Sequence, residues 1–121
     1  MRPVQRHVVF EVERGRLVQH VMRADGRSYT HRCTLAGLQE VAWYVEAHVE
    51  DGVTTNELWD ALPESPATQI SVALDFLKDR GCVEVRGRRS YPASNTLFED
   101  AMTEFYALEA ARDQGSGEPT C

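Results

Sequence analysis

Three guanidinium groups surround one glycine in Arg86-Gly87-Arg88-Arg89, an arrangement whose chemistry is the attraction of anions such as phosphate. The bland account is a solvated hairpin tip whose charge keeps a strand edge from aggregating. A second group, His31 and Cys33, lies two residues apart and therefore on one face of a strand, with His7 and His20 in the same region. Histidine and cysteine ligate zinc when brought together, but no Cys-x-x-Cys or comparable paired spacing occurs, so no metal or other cofactor is expected. Trp43, Tyr44 and Trp59 have the size to line an effector pocket, although an aromatic core is the simpler reading. Catalytic apparatus is missing: there is no nucleophile elbow, phosphate loop, His-Glu-x-x-His run or convincing carboxylate pair. An enzyme is not expected.

These residues belong to a chain of 121 amino acids, 42% hydrophobic and 26% charged, the profile of one soluble globular domain. No apolar run approaches the roughly 18 residues of a spanning helix, so no membrane partner is expected. Three scattered cysteines, Cys33, Cys82 and Cys121, fit a reducing cytoplasm better than a disulfide framework. The formal net charge of −6 argues against binding nucleic acid by bulk charge. That total is unevenly spread: residues 1–33 carry +4, 34–80 carry −7, 81–96 carry +2 and 97–121 carry −5. Partners must therefore be argued from the segments.

Hydropathy patterning supplies the elements. Val8 to Glu13 and Leu17 to Met22 are rich in β-branched residues and flank Arg14-Gly15-Arg16, which predicts a hairpin. Asp25-Gly26 marks a second turn before a third strand over Ser28 to Cys33, making residues 1–33 a β-meander. From Thr34, a good N-cap, the period becomes helical, with Leu38, Val41, Ala42, Val45 and Val49 on one face through to Asp51-Gly52. Thr54-Thr55-Asn56-Glu57 is a capping box opening a short helix that stops at Pro63. Ser65-Pro66 restarts a helix, serine as cap and proline at its first position, with Ile70, Ala73, Leu74 and Leu77 inward and Gly81 as its left-handed stop. Cys82 to Tyr91 reads as a second hairpin. Asn95 or Thr96 caps a last helix over 95–112 with a broad stripe from Leu97 to Leu108, and residues 113–121 read as a mobile tail.

The order helix, short helix, tight turn, helix, hairpin resembles the winged helix-turn-helix superfamily over residues 34–94. The likeness is carried by Thr54-Thr55-Asn56-Glu57-Leu58, by Ser65-Pro66-Ala67-Thr68-Gln69-Ile70, and by the run from Ala73 to Val83, which is similar to MarR-type and ArsR-type bacterial regulators. The expected fold is α+β, a winged helix-turn-helix core with an N-terminal β-meander and a C-terminal helix. The resemblance implies a transcriptional regulator that sets its third helix in the major groove of double-stranded DNA and its wing on the backbone. By position, the exposed first turns of that helix are Ala67, Thr68, Gln69, Ser71 and Val72. Gln69 would pair with adenine, Thr68 and Ser71 would meet a base edge or phosphate, and Lys78 with the wing residues Arg86, Arg88 and Arg89 would supply charge. Cys82 falls where such folds place an apolar residue, which implies a buried thiol. Such regulators commonly dimerise through terminal helices, so the Leu97–Leu108 stripe either packs on the first helix of its own chain or builds a homodimer.

The third helix departs from this pattern by carrying no Lys or Arg before Lys78, while Glu64 precedes it and Asp75 lies within it. Winged helices also serve as protein-docking modules. The alternative to DNA is therefore a basic partner protein facing the acidic helices.

Overall fold

The structure, a computed structural model, describes residues 7–117 and has an α+β architecture of four helices, a three-stranded sheet and a two-stranded hairpin. Strands β1 (His7–Glu13), β2 (Arg16–Met22) and β3 (Ser28–Thr34) form an antiparallel sheet in that order. Arg14 and Gly15 both take positive φ, 55° and 76°, the type I′ geometry whose twist matches the strands it joins. Register places Phe10 opposite Gln19, Val12 opposite Leu17 and Leu17 opposite Cys33, so these residues share one face of the sheet. On the opposite face, His20 bonds Thr30 at 3.0 Å and Glu11 at 2.5 Å, and that bond from His20 holds the Glu11 carboxyl below its usual range.

Helices α1 (Leu35–Glu46), α2 (Thr55–Ala61) and α3 (Ala67–Asp79) follow, then strands β4 (Val83–Arg86) and β5 (Arg89–Pro92), then α4 (Leu97–Gly117). The Thr34 hydroxyl accepts from Gly37 N at 3.0 Å and starts α1. The capping box of α2 is complete, with both bonds between Thr54 and Glu57 at 3.1 Å.

Three local expectations are corrected. First, α1 ends at Glu46 and not at Asp51-Gly52, leaving Val49 57% exposed. The chain must leave the helix there because Val53 and Ser90 exchange two backbone hydrogen bonds of 2.9 Å, tying this segment to β5. Second, Ser65 does not cap α3: its hydroxyl donates to Glu40 at 2.8 Å, and Pro66 occupies the cap position without a side-chain bond. Third, the last helix does not stop at residue 112 but runs from Leu97 to Gly117, and residues 118–121 of the expected tail lie outside the described residues. Arg112 ties α4 to β1 through Glu11 at 2.5 Å and Glu13 at 3.4 Å.

A single apolar cluster joins sheet, α1, α3 and α4, with Leu17, Leu38, Phe76, Leu77, Leu97 and Phe105 fully buried. Each such side chain contributes roughly 1.5–3 kcal/mol by leaving water. The β-meander is thus part of one core with the helices, not an appendage. The stripe of α4 is likewise used within the chain: Leu97, Ala101 and Phe105 are buried against α1 and β1, and Gln39 of α1 reaches Met102 Sδ at 3.7 Å. Of the two fates expected for that stripe, packing within the chain is observed for Leu97, Ala101 and Phe105.

Candidate functional site

The third helix buries two faces. Ile70, Ala73, Leu74 and Leu77 point into the helical core as their spacing predicts, but Val72 and Phe76 are also buried, at 1% and 0% exposure. Their neighbour is the β-meander. Phe76 meets Phe10 edge to face with ring centroids 5.4 Å apart, and the buried Gln19 amide donates to Asp75 at 3.0 Å. Gln69 lies along the same side. Its Oε1 accepts from Thr34 N at 3.0 Å and from the Thr34 hydroxyl at 3.3 Å. The fit there is close, since a Cβ on Gly37 would come within 3.1 Å of that oxygen.

The placement expected for the third helix is therefore corrected. Val72 does not face solvent, and the acceptor half of the Gln69 fork is already occupied within the chain. A bidentate pair with adenine needs both halves of the amide. The arc of α3 left at the surface carries Ala67, Thr68, Ser71, Lys78 and Asp79, with one ammonium and one carboxylate, while Asp75 is engaged by Gln19 of the sheet. Thr68 and Lys78 are exposed and Ser71 is half-buried.

The three arginines of the β4–β5 hairpin have three different situations. Arg89 turns back onto the protein, forming a two-pronged pair with Glu57 at 3.0 and 2.9 Å and reaching the carbonyls of Asp51 and Gly52 at 3.3 Å. Arg86 lies over the Tyr91 ring, 3.9 Å from its centre. Arg88 alone projects without a partner among the described residues. The hairpin is thereby braced on the start of α2, and one of its three charges is neutralised there.

Glu57 carries two jobs that its place in the capping box did not reveal: it closes the box and it holds Arg89. The Arg89 hydrogen bonds, and then the bond from Thr54 N, hold its carboxyl below the ordinary range. A carboxylate depressed in the folded state stabilises fully above its unfolded pKa and loses that contribution as pH falls through the folded value. The Glu57→Gln variant is accordingly expected to melt below the parent at neutral pH, by a small margin for so exposed a pair. Melting curves of the two proteins should converge as the solution is acidified into and below the carboxylate range. A gap that persists unchanged in acid would show that the Glu57 charge is not its source.

A different surface is open. The side of α1 bearing Glu40, Trp43 and Tyr44 and the connection Ala61-Leu62-Pro63-Glu64-Ser65 enclose a groove of about 470 Å³. Of the three aromatic residues expected in the core, Trp43 and Trp59 are at the surface, 57% and 40% exposed, whereas Tyr44 is half-buried against the core. Both groove aromatics are backed from behind. Trp43 stacks on Phe98 with centroids 4.4 Å apart, and Tyr44 stacks on His48 at 4.2 Å while its carbonyl bonds His48 Nδ1 at 2.7 Å. The Ser65–Glu40 hydrogen bond spans the rim. Spacing alone finds the aromatic pair but not the exposure of Trp43, because the width of the face that α4 covers is not written locally.

The two thiols among the described residues, Cys33 and Cys82, are buried, and Cys121 lies outside the described residues. Burial pushes Cys33 up to about 12 and Cys82 up to about 11, so neither is a thiolate at neutral pH. Cys33 lies in the core, apart from solvent, and no group of three metal-ligating side chains occurs among the described residues. Set against protein-family models, curated proteins and solved structures, the chain finds no match in any of the three comparisons.

Proposed function

We propose that this chain is a protein-docking module built on a winged helix-turn-helix core, and not a reader of DNA sequence. One observation carries the choice: the face of α3 that holds Gln69, Val72 and Phe76 is packed beneath the N-terminal sheet. Two residues expected to face base edges, Gln69 and Val72, are thereby taken up within the chain, which leaves the helix only Thr68 and the half-buried Ser71 for reading bases. The winged-helix arrangement itself draws support from the capping box opening α2 and from the pairing of Val53 with Ser90 beside the short hairpin. Electrostatics points the same way, since the segment 34–80 carries −7.

Titration of a fluorescent 20-base-pair random duplex with the full chain, followed by anisotropy at low salt, tests this. The expected result is no saturable binding at concentrations of roughly 10⁻⁴ M and below, the range of ordinary non-specific DNA affinity. Saturable binding that weakens and loses salt dependence in the Arg86→Ala/Arg88→Ala double variant would restore the DNA reading. Arg89 is left in place because it braces α2.

A further inference from the structure

The groove between α1 and the α2–α3 connection has features of a prepared site rather than an accident of packing. It is apolar at its base, where Leu62 and Pro63 face Trp43 and Tyr44, and acidic at its rim, where Glu40 and Glu64 are both exposed. No Lys or Arg lines it. An exposed tryptophan ordinarily has several rotamers to lose on binding, but Trp43 is already stacked on Phe98, which removes much of that cost.

We infer that the groove takes a Lys- or Arg-containing segment of a partner protein, seating one apolar side chain against Leu62 and Pro63 and one cation over Trp43 between Glu40 and Glu64. The inference rests on the docking function proposed above and names its site and ligand chemistry. Charge complementarity selects this occupant. An acidic segment would meet two carboxylates with no Lys or Arg in the groove to offset them. A cation above an indole is attracted by the negative face of the ring, and flanking carboxylates strengthen that preference. Arginine suits the site best, because its flat guanidinium stacks on the indole while still donating to both carboxylates.

The test starts from a phage library of random twelve-residue peptides selected on the immobilised full chain, followed by titration of a synthetic selected peptide monitored by tryptophan fluorescence. Enriched peptides are expected to pair Arg or Lys with a neighbouring Leu, Ile or aromatic residue. Their affinity should fall at least about tenfold in the Glu40→Lys/Glu64→Lys variant and in Trp43→Ala, and should weaken as salt is raised. Both glutamates are exposed, and a melting curve for each variant confirms that the fold is intact. Selected peptides that bind both variants as tightly as the parent overturn the groove assignment while leaving a docking function standing elsewhere on the molecule. Enrichment of acidic or purely apolar peptides also overturns it. A concentration-dependent dimer abolished by Trp43→Ala would give the groove to a second copy and overturn the partner assignment. No enrichment together with saturable duplex binding overturns both the groove and the docking function.

Discussion

Replacing Phe76 with alanine is expected to lower the stability of this protein by about 3–5 kcal/mol, as for other large aromatic residues truncated in a core. Phe76 is fully buried on α3, and its partner Phe10 on β1 is 8% exposed. The two rings meet at an interplanar angle of 73°, the edge-to-face geometry in which an aromatic pair exceeds its area burial. Truncation leaves a cavity between α3 and the sheet, lined by groups that cannot close over it without moving a strand. Urea denaturation of the parent and variant measures the difference, and Thr68→Ala, on the exposed arc of the same helix, serves as the control with an effect within about 0.5 kcal/mol. Amide exchange adds a spatial readout, with faster exchange expected through β1–β3 in the Phe76 variant. A loss below about 1 kcal/mol would mean that the sheet is not docked on α3 and that the helix face is free after all.

That second buried face was present in the sequence. Val72 and Phe76 lie four residues apart, with Gln69 three before Val72, which is the spacing of a stripe on one side of a helix. It was hidden by the family pattern, which assigns Gln69 and Val72 to the exposed first turns of the third helix. Elements whose signals are local were legible: the β-branched strands around Arg14-Gly15, the Thr54–Glu57 box and the Leu97–Phe105 stripe all occur where their spacing predicts. What was not legible depends on residues distant in the chain. Gln19 meets Asp75 across 56 positions, and Arg89 meets Glu57 across 32, and no periodicity encodes either pairing. The end of α1 belongs to the same class, since Val53 leaves the helical path only because Ser90 is there to receive it.

The charge pattern takes on a different meaning in three dimensions. Summed along the chain, residues 81–96 are basic and look suited to phosphate. In the fold, Arg89 spends its charge on Glu57 and on two carbonyls at the start of α2, and Arg86 lies over a tyrosine. The acidic segment has no comparable internal use for Glu64, which remains at a groove rim beside two aromatic side chains. A positive hairpin partly consumed in bracing offers a polyanion fewer free charges than its sequence suggests.

Gly52 is where that bracing is most sensitive to a single added methyl group. Its φ of 67° is a conformation that costs a residue with a Cβ roughly 1–2 kcal/mol. Position 52 is also buried, and a Cβ there would lie 2.9 Å from two atoms of the Tyr91 ring and 3.0 Å from the Ser90 carbonyl oxygen. The ring is half-buried with Arg86 lying over it, and the carbonyl is held in place because it accepts from Val53 N at 2.9 Å. Overpacking of this kind costs about 1–3 kcal/mol, so Gly52→Ala is expected to lose roughly 2–5 kcal/mol in all. Gly81→Ala separates the two contributions: its φ is 74°, but a Cβ there meets nothing within 4 Å, so only the conformational part applies. Thermal melts of the two variants should differ by the cost of the close approach. If Gly52→Ala proves no worse than Gly81→Ala, the β4–β5 hairpin yields freely, and Arg89 cannot be the rigid brace on α2 that its hydrogen bonds describe.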